Sequence, residues 1–217
     1  LERAVRDIVD ETVDSEGVVD IFQVAGIEKA DISILDENFL QTFKNKKYPN
    51  LPLKLLQKLV SDQIKLRQQK NLAKAKGFRE LLEATLQKYH NRLIDAATVV
   101  KTMIEIRKEM ENDDKRAKLL GLSEEELAFY DAVAENYKDI YGNEFLCTLI
   151  HDVVQSIKRN LKVDWTKPHR EDVKAGIRAA VKRVLRTKGI KPDDFDQFVS
   201  YIMDQAEALW ADWPMAA

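Results

Sequence analysis

Apolar residues recur along this chain at steps of three and four, the spacing that lines one face of an α-helix. From Pro52 onward, Leu53, Leu56, Val60 and Ile64 mark a first long helix, with the proline tolerated in its first turn. A second seam of Leu82, Leu86, Tyr89, Leu93, Ala96, Val100 and Met103 alternates steps of four and three. It predicts one helix from about Ala73 to Asn112, roughly 60 Å at about 1.5 Å per residue unless Gly77 interrupts it near its start. The polar stretch from Glu109 to Lys118 either frays into a loop or extends that helix.

Punctuation follows at Gly121-Leu-Ser-Glu-Glu-Glu-Leu-Ala-Phe-Tyr-Asp-Ala132. Gly121 suits the positive φ that ends a helix, and Ser123 with Glu126 three residues on forms a capping box for the next. Three glutamates in the opening turn suit the positive helix end. Leu127, Tyr130 and Ala134 then give the new helix an apolar face. Further helices are predicted over Asn143 to Leu161, Pro168 to Thr187 and Pro192 to Trp210, with Gly189 as a stop. Upstream, helices are expected from Leu1 to Val13, Val18 to Ala25 and Asp36 to Phe43, with Asp36 as N-cap. Residues 1–50 read as a connector of short helices and 51–217 as a helical domain. The predicted fold is all-α, a helical bundle built around one or two long helices.

Composition agrees. Hydrophobic residues make up 45% and charged residues 33%, with seven glycines and five prolines, a balance for packed amphipathic helices rather than disordered linkers. No apolar run approaches the roughly 20 residues that span a bilayer. Cys147 is the one cysteine, so an internal disulfide cannot form, and a reducing cytoplasm is the expected compartment. Leu1 is not a translation start, and the chain reads as a fragment of something larger.

The net charge of −2 conceals blocks of alternating sign. Residues 1–43 carry −8, 44–79 carry +10, 105–144 carry −6, 145–192 carry +8 and 193–217 carry −6. Two basic elements stand out. Lys65, Arg67, Lys70, Lys74, Lys76 and Arg79 run with no acid between them, and Arg170, Lys174, Arg178, Lys182 and Arg186 repeat every four residues. The second row would lie beside the apolar stripe of Val173, Ile177, Val181 and Val184 as a basic ridge. Such cations meet a phosphate backbone, an acidic protein surface, or the acidic blocks of their own chain. Aromatic residues do not interleave the rows, which argues against a platform for stacked single strands.

Chemistry is sparse. No phosphate-binding Gly-x-x-x-x-Gly-Lys-Ser/Thr loop is present. Asp113-Asp114-Lys115 and Asp172-Val173-Lys174 match an Asp/Glu-x-Lys metal-site triplet by letters alone, in helical or loop contexts with no matching upstream acid on a strand. Cys147 and His151 stand one helical turn apart beside Asp152, but flanking Phe145, Leu146, Leu149 and Ile150 make a core cysteine the better reading. Neither catalytic nor metal-ligating residues are assigned.

Tyr89-His90-Asn91-Arg92 upstream of the Gly121 stretch, and Asp164-Trp165-Thr166, Arg170, Lys182-Arg183 and Gly189-Ile190-Lys191-Pro192 downstream, complete a pattern. In this order and spacing the chain resembles the C-terminal region of the restriction (HsdR) subunit of type I restriction-modification enzymes. The similarity begins near Gly17-Val-Val-Asp-Ile-Phe22 and runs to about Gln205. The resemblance implies a parent polypeptide with an N-terminal nuclease, two ATP-dependent translocase domains and this helical region. It implies ATP and magnesium in the rest of the parent and no cofactor here. It also implies an assembly role, docking the motor subunit onto the complex of methyltransferase and specificity subunits. The alternative is a module that guides duplex DNA through Arg170, Lys174, Arg178, Lys182, Arg186, Lys65, Arg67, Lys70 and Lys74, the same residues that would contact a protein partner.

Overall fold

The computed structural model describes residues 32–44 and 50–213 of the chain, and these are helical with no strand among them. Eight α-helices follow a 3₁₀ turn at Ile32–Ile34: α1 (Glu37–Lys44), α2 (Asn50–Gln68), α3 (Leu72–His90), α4 (Ala96–Leu120), α5 (Glu124–Tyr141), α6 (Asn143–Asn160), α7 (Glu171–Thr187) and α8 (Phe195–Leu209). Short 3₁₀ turns at Pro168–Arg170 and Pro192–Asp194 lead into α7 and α8. The helices predicted over Leu1 to Val13 and Val18 to Ala25 lie outside the described residues.

Local chemistry explains the boundaries. Asp36 caps α1, its carboxylate accepting from the Phe39 N–H at 2.6 Å. Ahead of α5 the capping box is complete: the Glu126 N–H donates to Ser123 Oγ at 3.2 Å, and the Ser123 N–H donates to Glu126 Oε2 at 2.8 Å. At the end of α4, Gly121 has φ 67°, and the Leu122 N–H reaches back to the Ala117 carbonyl at 2.9 Å. Gly189, at φ 78°, ends α7 the same way, with Ile190 N–H on the Leu185 carbonyl at 3.0 Å. In both turns the residue after the glycine folds back into the core, Leu122 at 9% exposure and Ile190 at 4%.

The single helix predicted from Ala73 to Asn112 is two helices. It passes through Gly77 unbroken and ends at His90. There Leu93 N–H bonds the Lys88 carbonyl and Arg92 N–H bonds the Tyr89 carbonyl, both at 2.9 Å, with Arg92 in the left-handed region at φ 58°. Asp95 then restarts the chain, accepting from the Thr98 N–H at 2.8 Å and its hydroxyl at 2.6 Å. Hydrophobic spacing did not register the break because Leu93 keeps the seam's rhythm while standing 72% exposed. An L-residue in this conformation costs about 1–2 kcal/mol. The stretch from Glu109 to Lys118 extends α4, which reaches Leu120 and 25 residues.

The chain divides into two compact units. One comprises residues 1–61 and 85–107, the other 62–84 and 108–217. The first has a core of Leu35, Phe43, Leu53, Leu56, Val60, Leu86, Val99, Val100 and Met103 among its described residues. In the second, α6 packs on α5 and α7, and α8 packs on α5 and α7. Its core holds Phe129, Leu146, Ile150, Trp165, Ile177, Phe198 and Trp210. Trp165 anchors the turn before α7 by donating its indole N–H to the Trp210 carbonyl at 2.7 Å, and Trp210 lies 5.1 Å from Phe129, ring centre to ring centre.

Candidate functional site

The predicted basic rows are largely engaged by the chain itself. On the ridge, Arg170 donates to the Val163 carbonyl at 3.0 Å and lies 3.7 Å from Asp172. Lys174, only 12% exposed at its side chain, pairs with Glu207 of α8 at 2.9 Å. Arg178 returns to Glu171 at 3.3 Å, and Lys182 reaches Asp196 of α8 at 2.7 Å. Arg186 is exposed. The four-residue spacing thus places Lys174 and Lys182 against an acidic helix, where they tie α7 to α8.

The first basic group is divided by burial. Lys65 is exposed and 3.8 Å from Asp62, and Lys70 is exposed. Lys74 is half-buried with its ammonium 5.9 Å from the centre of the Phe78 ring. Arg67 points inward, 2.9 Å from Asp113 Oδ2 and 2.5 Å from the Met110 carbonyl.

That contact opens a network the sequence reading missed. Asp113 also accepts from Arg116 at 3.1 Å, Arg116 reaches Asp131 at 2.5 Å, and Asp131 accepts from Asn71 Nδ2 at 2.8 Å. Asn71, Asp113 and Asp131 are all under 10% exposed. Beside it the fully buried Gln205 accepts from the Leu72 N–H at 2.9 Å and donates to the Lys70 carbonyl at 3.1 Å, clasping the turn between α2 and α3 to α8. Burial pushes the Asp113 carboxyl above the usual range, although Arg67 and Arg116 pull it down. The hydrogen bond to Asp131 is the largest of the effects that raise Arg116. Periodicity carries no signal for such a network, because its members are polar residues at inward positions that only the folded helices bring together.

The other chemistry weighed from sequence also has structural employment. His151 Nδ1 lies 2.7 Å from Glu126 Oε1, so the capping-box glutamate is held from two sides. Burial alone would raise Glu126, but the Ser123 hydrogen bonds and His151 outweigh it and hold the carboxyl below its ordinary value. Cys147 is half-buried and its thiol is pushed up by burial, away from a reactive thiolate. Asp152 pairs with Lys188 at 2.6 Å. Asp113 of the first acidic triplet faces two arginines, and Lys174 of the second faces Glu207. Among the described residues no cluster of three or more His, Cys, Asp or Glu is placed to hold a metal ion. No helix among them is long and apolar enough to cross a membrane.

Comparison with known proteins adds identity to this geometry. The chain is 32% identical over 209 residues to the type I restriction enzyme HindI endonuclease subunit of Haemophilus influenzae, covering 95% of this chain and 20% of that protein. It is 28% identical over 194 residues to the "Putative type I restriction enzyme MjaIXP endonuclease subunit" of Methanocaldococcus jannaschii, covering 88% and 18%. The chain therefore spans about a fifth of the length of these relatives. No solved structure matches. The family described as type I restriction enzyme HindI endonuclease subunit-like, C-terminal, matches residues 1–212, beyond both limits of the resemblance seen in the sequence. With nearly its whole length matched, this chain belongs to that C-terminal family of type I restriction enzyme endonuclease subunits.

Proposed function

We propose that this chain is an assembly module, docking a larger restriction subunit onto the methyltransferase core, formed with the specificity subunit, of a type I restriction-modification system. In this reading nuclease and translocase chemistry, with its ATP and magnesium, belongs to the rest of the parent subunit. The observation that carries it is the fate of the basic rows. Lys174, Arg178 and Lys182 are matched by Glu207, Glu171 and Asp196, and Arg67 by Asp113, so these four of the nine cations that resembled a phosphate track are paired within the chain. A unit whose neighbouring helices are linked in this way suits a part whose work is to hold a motor against a fixed core while DNA is moved. Charged groups left at its surface would orient the encounter.

The rival DNA-guiding role makes a different prediction. Duplex binding through the ridge would fall steeply with salt, and the salt slope would drop in Arg178→Ala or Lys182→Ala. The assembly reading expects at most weak duplex binding, with a slope unchanged by either substitution. A fluorescence titration of labelled duplex at two salt concentrations separates the two, and a lowered slope in the variants would replace assembly by guidance.

A further inference from the structure

The turn between α3 and α4 has the backbone bonding of the glycine turns that end α4 and α7, but departs from them at two residues. Gly121 and Gly189 supply the left-handed residue in those turns, whereas here Arg92 occupies it at φ 58°. The following residue, buried in the other two as Leu122 and Ile190, is here Leu93 at 72% exposure. The same pair of backbone hydrogen bonds closes all three turns, so the leucine is not displaced by a looser geometry. It is held outward by a fixed turn that Asp95 secures on the α4 side.

The surroundings state what would receive it. Lys88 near the end of α3 and Arg92 within the turn are exposed cations, and the Tyr89 and His90 rings lie beside each other, 5.9 Å apart. Asp95, the acid of this turn, is committed to the helix cap. A phosphate backbone would use the cations and leave the leucine in water. An acidic protein surface with an apolar recess uses both, the leucine filling the recess and the cations matching its rim. We propose that the Tyr89–Asp95 turn is a docking knob for such a surface, with Leu93 as anchor. This rests on the assembly reading, and it places the acidic surface on the methyltransferase core.

The test compares the wild-type chain with Arg92→Gly, Leu93→Asp and Leu93→Ser, each titrated into the cognate methyltransferase core by calorimetry and each melted in parallel. Arg92→Gly places the favoured residue at the left-handed position and should melt at a higher temperature than wild type. Both Leu93 variants should melt as wild type does, because the side chain is already in water. All three should bind the core more weakly, Leu93→Asp by about tenfold or more. If the wild type binds and the variants bind equally well, the knob is wrong while assembly stands. A wild-type chain that does not bind the core ends the assembly reading and the knob with it. Loss of duplex-DNA binding or of self-association in the variants, with core binding intact, would also overturn the proposal.

Discussion

Arg116 lies between two buried carboxylates, and the cost of removing it measures how far this unit depends on charge. In Arg116→Met, Asp131 would keep Asn71 and Asp113 would keep Arg67, but two acids would share a poorly solvated site with one guanidinium fewer. Loss of one partner from a fully buried pair typically costs 3–5 kcal/mol. Arg116 is 31% exposed, so urea unfolding should show a smaller loss of about 2–3 kcal/mol. Gln205→Leu should cost about 1–3 kcal/mol, since it strands the Leu72 N–H without replacing its partner. By contrast Arg186→Ala, on an exposed face, should change stability by less than about 0.5 kcal/mol. These differences were invisible beforehand: Arg67 and Lys65 read alike in a basic run, and only folding separates the residue that turns in to a buried acid from the one left in water.

Helix ends are where the sequence was most legible. Ser123 with Glu126, Gly121, Gly189 and Asp36 all act where spacing and residue type put them, because a cap is a local transaction within four or five residues. The α3–α4 break was missed for the complementary reason. Its left-handed residue is an arginine rather than a glycine, and its leucine imitates the seam, so neither composition nor period marked it. Gly121→Ala isolates the backbone part of a cap. Nothing lies within 4 Å of the added methyl, so thermal unfolding should report only the left-handed penalty, about 1 kcal/mol. Acid titration tests the carboxylates. Glu126 and Asp95 sit below their ordinary values, so each stabilises the fold fully above the unfolded pKa and loses that contribution as pH falls through its lowered folded value. Asp113 runs oppositely: with its folded pKa raised, its contribution is greatest in acid and is lost as pH rises through that value. Glu126→Gln should therefore flatten the acid loss of stability, followed by melting between pH 5 and about pH 3, while Asp113→Asn should steepen it.

For the whole molecule, the alternating charge blocks find a physical use. The +8 block of residues 145–192 and the −6 block of 193–217 meet as Lys174 on Glu207 and Lys182 on Asp196. A near-neutral chain can thus pair strong local charge internally, and the helical architecture of the described residues was readable in the spacing. Which surface faces a partner was not, because an interface is defined by two molecules and the sequence describes one. In the proposed assembly role this unit docks rather than cuts or tracks DNA. That role is tested most directly by mixing the chain with its cognate methyltransferase core, with and without duplex, and weighing the eluted species by light scattering after size exclusion. Assembly requires co-elution at the summed mass without DNA. A chain that elutes alone beside the core, yet shifts with duplex, would contradict it.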